Sequence, residues 1–285
     1  MIKSYIPRVA AVNDLSGFGR VSLTEAIPII SAMGAEVCPL PTAILSTHTY
    51  KFENYTFLDM TDEMEKIIAH WQALGVHFDA IYTGYLGSAR QIDLLTGFIK
   101  NIKPSGCLAI IDPVLGDNIL SDAETVYYDR MNDLLLAMRR FVAIADVITP
   151  NLTEACLLLG ENYPKDFIDA DTLGGYLRRL SDMGPEKVVI TSVMTAKEKM
   201  GVAVYDRSSD TVSIIDCGYV NRPFHGTGDI FTSVLTGALL RGEDIFGASN
   251  TAVHFVRRAI EETLKCPDIK TEYGVLFEKV LHEIC

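Results

Sequence analysis

Short apolar runs along this chain alternate with longer stretches of helical period. "RVAAV" (8–12), "EVCPL" (36–40), "AIYTG" (80–84), "CLAIID" (107–112), "ADVIT" (145–149) and "KVVIT" (187–191) are runs of the first kind. They read as strands buried on both faces. The stretches 22–34, 61–75, 88–102, 122–141, 153–159 and 169–183 read as helices. In 61–75 the apolar positions Met64, Ile67, Ile68, Trp71 and Leu74 form one helical face. Ser22 with Glu25 predicts a capping box, Ser88 with Gln91 a cap pair, and Gly34 a helix stop. Pro28 inside the first helical pattern predicts a kink or a late start.

The rhythm then changes. "GVAVYD" (201–206) and "TVSIID" (211–216) flank "RSSD" and predict a hairpin, hence antiparallel strands at one end of the sheet. Helical stretches follow at 228–241, 244–263 and about 275–282. The alternation implies a single domain over 1–285: α/β, three layers, with a doubly wound, mostly parallel sheet covered on both faces. Ligands of such sheets lie beyond the carboxyl ends of the strands. Those ends are Asn13-Asp14, Thr83-Gly84-Tyr85, Asp112-Pro113 and Thr149-Pro150-Asn151, and all are polar or turn-forming.

Composition narrows the function. The 285 residues are 48% hydrophobic, enough for a sizeable core, and carry a formal net charge of -12. That charge argues against nucleic acid or an anionic membrane as partner. It leaves room for a phosphate-bearing ligand, because backbone dipoles at a site can outweigh global charge. Six cysteines lie far apart with no C-x-x-C pair, as expected of reduced thiols in a cytoplasmic protein, and zinc has no support. The N-terminal "MIKSYIPRVA" has no apolar core of a signal peptide, and no apolar stretch is long enough to span a bilayer.

Three loops carry candidate chemistry. In "HGTGDIF" (225–231), Gly226, Thr227 and Gly228 stand at the mouth of a helix, where unpaired N–H groups and a partial positive charge attract anions. Asp229 there either caps the helix or accepts a proton from a hydroxyl attacking a bound phosphoryl group. "DPVLGD" (112–117) offers Asp112 and Asp117, a turn or a pair of Mg²⁺ ligands. "TPNLTEA" (149–155) offers Asn151 and Glu154, a helix start or further ligands. "NDLSGFGRVSLTEA" (13–26) imitates a dinucleotide fingerprint, but Ser22 replaces its third glycine. No Gly-Lys dipeptide occurs, so there is no P-loop, and H-R-D and D-F-G are absent too.

Taken in order, "STHT" (46–49), "TGYLGS" (83–88), "DPVLGD", "ADVITPNLTEA" (145–155), "VVITS" (188–192) and "HGTGDIF" resemble the ribokinase-like superfamily, and within it the vitamin B6 kinases. The resemblance covers nearly the whole chain. It implies phosphorylation of the 5′-hydroxymethyl group of pyridoxal, pyridoxine or pyridoxamine, using ATP, Mg²⁺ and K⁺, by a homodimer. It implies Asp229 as general base and Gly226, Thr227 and Gly228 as the anion hole. Asp112 and Glu154, with Thr149, would organise the metal. Asp117, Asn151, Thr191 and Ser192 would lie by the nucleotide. Tyr85 would flank the pyridine ring, Thr49 would face its polar edge, and Asp14 and Ser16 would stand where many B6 kinases carry a serine. An aspartate at 14 favours a protonated ring nitrogen, and is also similar to the hydroxymethylpyrimidine kinases. Those enzymes usually place cysteine where this chain has Asp229.

Overall fold

The computed structural model describes residues 5–115, 128–164 and 166–285. The first half runs β1 (Arg8–Ser16), α1 (Leu23–Ala32), β2 (Glu36–Leu45), β3 (Phe57–Asp59), α2 (Thr61–Ala73), β4 (Ala80–Thr83), α3 (Ala89–Ile102) and β5 (Leu108–Ile111). Then come α4 (Tyr128–Val142), β6 (Val147–Ile148), α5 (Leu152–Leu159), α6 (Ala170–Asp182) and β7 (Lys187–Ala196). The hairpin partners β8 (Lys199–Asp206) and β9 (Thr211–Asp216) follow, then α7 (Thr227–Leu240) and α8 (Ile245–Leu264).

The strands form one nine-stranded sheet in the order β3-β2-β1-β4-β5-β6-β7-β8-β9. From β2 to β7 all neighbours are parallel, while β7, β8 and β9 pair antiparallel. The opposite edge is antiparallel as well, because β3 pairs antiparallel with β2. Sequence pattern does not reveal β3, since its three residues are all exposed and show no alternation. β1 lies between β2 and β4, so the crossovers diverge on either side of it. Such a switch point opens a crevice at the carboxyl ends of the two central strands.

Alternating side chains of the strands feed two apolar layers. Val12, Ile81, Ile111 and Ile190 face α2 to α6. Ile110, Val147 and Val189 face α1, α7 and α8. α7 buries Ile230, Phe231, Val234, Leu235 and Ala238. Each large side chain so buried contributes about 1.5–3 kcal/mol, more than the ~1 kcal/mol of an ordinary hydrogen bond. Apolar packing therefore sets where the mouth of α7 lies.

Three expectations change. The capping box at Ser22 and Glu25 does not form: Ser22 makes no cap bond with its side chain, and Glu25 turns into the interior. The Ser88 and Gln91 cap pair does form, with Ser88 accepting the Gln91 N–H at 3.3 Å, and the Gln91 side chain accepts the Gly87 N–H. The stretch 275–282 holds short 3₁₀ turns, Phe277–Lys279 and Leu281–Ile284, in place of a helix. So short a segment nucleates a helix poorly, and it is fixed by Val275, Phe277 and Val280 dropping into the core. α1 runs through Pro28 from Leu23, so the start is early, with one ladder bond missing at the proline.

Candidate active site

Asp229 lies in the first turn of α7, yet it does not cap its own helix. The N-cap is Gly226, and no side chain caps it. The Asp229 carboxylate instead accepts the backbone N–H of Ser22, at the start of α1, at 2.9 Å. Its other oxygen accepts Asn13 Nδ2–H at 2.8 Å and the Tyr82 hydroxyl at 3.3 Å. The N–H groups at the mouth of α7 stay open to an anion, and the carboxylate stands beside them, partly exposed. Burial raises the Asp229 carboxyl to about 6, the charge of Asp14 adds to this, and the bonds from Ser22, Asn13 and Tyr82 hold it back. A proton acceptor poised near neutrality suits general-base work better than an ordinary aspartate.

Gly226 has φ +80°, in the left-handed region. A side chain there would also overlap the Arg20 carbonyl oxygen and the Glu25 carboxyl. Glycine is therefore required at position 226, at the mouth of α7.

Asn13 is a further candidate, which motif reading placed at the end of β1 without a role of its own. Its Oδ1 accepts the N–H of Asp14 at 3.0 Å and of Tyr85 at 2.8 Å, while its Nδ2 holds Asp229. It thus ties the ends of β1 and β4 to Asp229. Gly84 makes room for it, since a Cβ at 84 would overlap the Asn13 amide. The signal in the sequence was a polar residue inside an apolar strand, directly before Asp14.

The carboxyl ends of β5 and β6 carry an acidic cluster. Asp112 is 7% exposed and Glu154 3%. Burial pushes the Asp112 carboxyl well above the usual carboxylate range; the charges of Glu154 and Asp229 add to this, and the Thr232 and Thr149 hydroxyls oppose it. Thr149 Oγ1 and Thr232 Oγ1 lie 3.0 Å apart, and Thr232 donates to Asp112 at 3.4 Å. Glu154 accepts the N–H of Leu115 at 3.1 Å and of Asn151 at 2.8 Å, and Asn151 Oδ1 accepts the Glu154 N–H. This reciprocal capping box fixes α5 to the loop after β5. Like charges crowded out of water call for a cation, and a hard divalent ion held partly through water and phosphate fits these oxygen donors. Among the described residues no group of three His, Cys, Asp or Glu side chains could hold a metal ion unaided.

Asp14 is 7% exposed and accepts the hydroxyls of Ser16 at 2.8 Å and Ser22 at 2.6 Å. Ser16 is fully buried, so its hydroxyl supports Asp14 and lies away from solvent. Tyr85 is half-buried at the end of β4, its hydroxyl raised by burial and by Asp14. Thr49 is exposed in the loop after β2. That loop also brings His48 and Tyr50 against His225, the residue before Gly226, with ring centroids 5.5 and 3.7 Å apart. Asn151 bridges to Thr191, and Ser192 follows with φ +58° at a bulge in β7. Asp117 lies outside the described residues. In sheet order, the rim thus runs from Asp14 and Tyr85, through Asp229 and Asp112, to Asn151, Thr191 and Ser192.

The mostly parallel nine-stranded sheet and the proteins the chain resembles make it a kinase of the ribokinase-like class. Residues 27–273 match the phosphomethylpyrimidine kinase family, and the chain belongs to that family. Pyridoxine kinase of Bacillus subtilis is 30% identical over 66% of this chain and 66% of its own length. Pyridoxal kinase of Bos taurus is 26% identical over 94% of this chain and 89% of its own. A Bacteroides thetaiotaomicron crystal structure with pyridoxal superposes with a TM-score of 0.90 at 46% identity, covering 98% of this chain and 96% of that one. Pyridoxal kinase from Lactobacillus plantarum gives 0.86 at 30% identity, covering 98% and 97%.

Proposed function

We propose that this protein transfers the γ-phosphoryl group of ATP to the 5′-hydroxymethyl group of pyridoxal, pyridoxine or pyridoxamine. The observation that carries the reading is Asp229: a carboxylate raised to about 6, partly exposed, next to open helix N–H groups. The vitamer ring would enter beside Tyr85 and Thr49, with Asp14 toward its nitrogen. Its hydroxyl would lie against Asp229, and the nucleotide along Asn151, Thr191 and Ser192. As the alcohol oxygen bonds to the γ-phosphorus, the bond to ADP breaks and the proton passes to Asp229. Gly226, Thr227 and Gly228 neutralise the charge gathering on the phosphoryl oxygens. Mg²⁺, when bound near Asp112, Glu154 and Thr149, supplies charge neutralisation at the phosphates. K⁺ as a second cation, a homodimeric assembly and a cytoplasmic location complete the reading. It includes no nucleic-acid or membrane partner; no helix among the described residues is long and apolar enough to cross a membrane.

The family description names a phosphomethylpyrimidine, so hydroxymethylpyrimidine, the corresponding alcohol, is the second and less supported substrate. The purified protein should be given ATP, Mg²⁺ and each alcohol in turn, with ADP release followed. Release with the B6 vitamers and not with the pyrimidine is the expected result. Release with the pyrimidine alone selects the second substrate, and release with neither overturns the kinase reading. Light scattering tests the dimer.

A further inference from the structure

Glu25 is an anomaly in this fold. It is 0% exposed, and neither carboxyl oxygen has a hydrogen-bond partner. Its place in the sequence suits it to reach back to the Ser22 N–H as the third residue of α1, but the Asp229 carboxylate holds that N–H. Displaced from this role, the Glu25 carboxyl fills the space behind Gly226, where a Cβ would meet its two oxygens at 2.6 and 2.7 Å. It therefore lies on the inner side of the residue whose outer side heads the anion pocket.

The groups facing it settle its charge. From α7 comes Asp229, from β4 the Tyr82 hydroxyl, from the C-terminal 3₁₀ turn Glu278, and from the loop before α1 Arg20. Arg20 is the single cation of this set, and its Nε is bonded to both oxygens of Glu278, at 2.7 and 2.9 Å. Burial, then the charges of Asp229 and Glu278, raise the Glu25 carboxyl well above its ordinary value, against a smaller lowering from Arg20. An unpaired buried carboxylate is strongly disfavoured.

We propose that Glu25 is a positioning residue for the phosphoryl pocket: a carboxylic acid kept neutral behind Gly226, filling the floor of the helix mouth without competing with the phosphoryl anion for its positive field. Were it ionised, its charge would sit one residue's thickness behind the N–H groups that receive the anion and would cancel their attraction. The role rests on the kinase reading above and acts through Gly226, without contact with substrate.

The test is binding, so that no acceptor alcohol is needed. Affinities of AMP-PNP, which carries a γ-phosphoryl group, and of ADP, which does not, are measured by calorimetry at neutral pH. Glu25→Gln and Glu25→Met, neutral side chains of similar length, should keep the wild-type affinities for both nucleotides, whereas Glu25→Ala, which empties the floor behind Gly226, should lower AMP-PNP affinity roughly tenfold and change ADP affinity little. A tenfold loss of AMP-PNP affinity in both Glu25→Gln and Glu25→Met overturns the proposal, as does wild-type binding by Glu25→Ala. No binding of either nucleotide by the wild type overturns the kinase reading instead.

Discussion

The Asp229 carboxylate accepts the backbone N–H of Ser22 at 2.9 Å, so the candidate base of α7 caps the start of α1. One side chain thereby fixes the geometry between two helix mouths and leaves its own helix open. Ionised Asp229 also costs the fold stability, since burial opposes its charge.

Asp229→Asn should therefore separate activity from stability. Turnover should fall at least 10²–10⁴-fold, the range of lost general-base catalysis, while ADP still binds. A carboxyl raised from 3.8 to about 6 disfavours folding by roughly 2–3 kcal/mol when ionised. This penalty is absent below the ordinary value, grows as pH rises, and is complete above the raised one. Because an amide loses part of the hydrogen bonding, a net gain of about 1–2 kcal/mol is expected at pH 8, vanishing toward pH 4. Thermal melts at the two pH values measure it.

The same group sets the pH–rate profile. kcat/KM should rise with pH through an apparent value near 6 as Asp229 loses its proton. Tyr82→Phe removes a donor to the ionised form, so this acidic limb should move to higher pH, by about half a unit. An unmoved limb would show that another group controls it.

Gly84 and Asn13 should behave as one unit. Gly84→Ala pushes a methyl group into the Asn13 amide, so its loss of activity should resemble that of Asn13→Ala. In the double variant the methyl group meets a truncated side chain, and the two losses should add to much less than their sum. A double-mutant cycle on kcat/KM gives the coupling.

Glu154→Gln keeps the shape of the side chain but presents only one acceptor to the N–H groups of Leu115 and Asn151. The loop after β5 should loosen, and the protein should lose about 1–3 kcal/mol. The Mg²⁺ concentration for half-maximal turnover should rise several-fold, and a metal titration on folded variant protein checks this.

Much of this could be read from residue order. The parallel core was legible because strands such as "CLAIID" are continuously apolar, and the rim because polar residues end those runs. β3 was not, because three exposed residues carry no period. Ser22 and Glu25 misled for a different reason. Their local spacing favours a capping box, and a carboxylate 207 residues away takes the N–H that would close it. Asn13 could be placed at the rim, but its contacts could not be read: its partners Tyr85 and Asp229 are distant in sequence, and only the assembled sheet edge brings them within bonding range.

The bond between Asn13 and Asp229 spans 216 residues. Closing so wide a loop is slow relative to forming local structure. Catalytic competence should therefore appear late during refolding, after most helical signal has returned. During synthesis β1 would leave the ribosome long before the candidate proton acceptor, and the proposed activity would wait until α7 has docked.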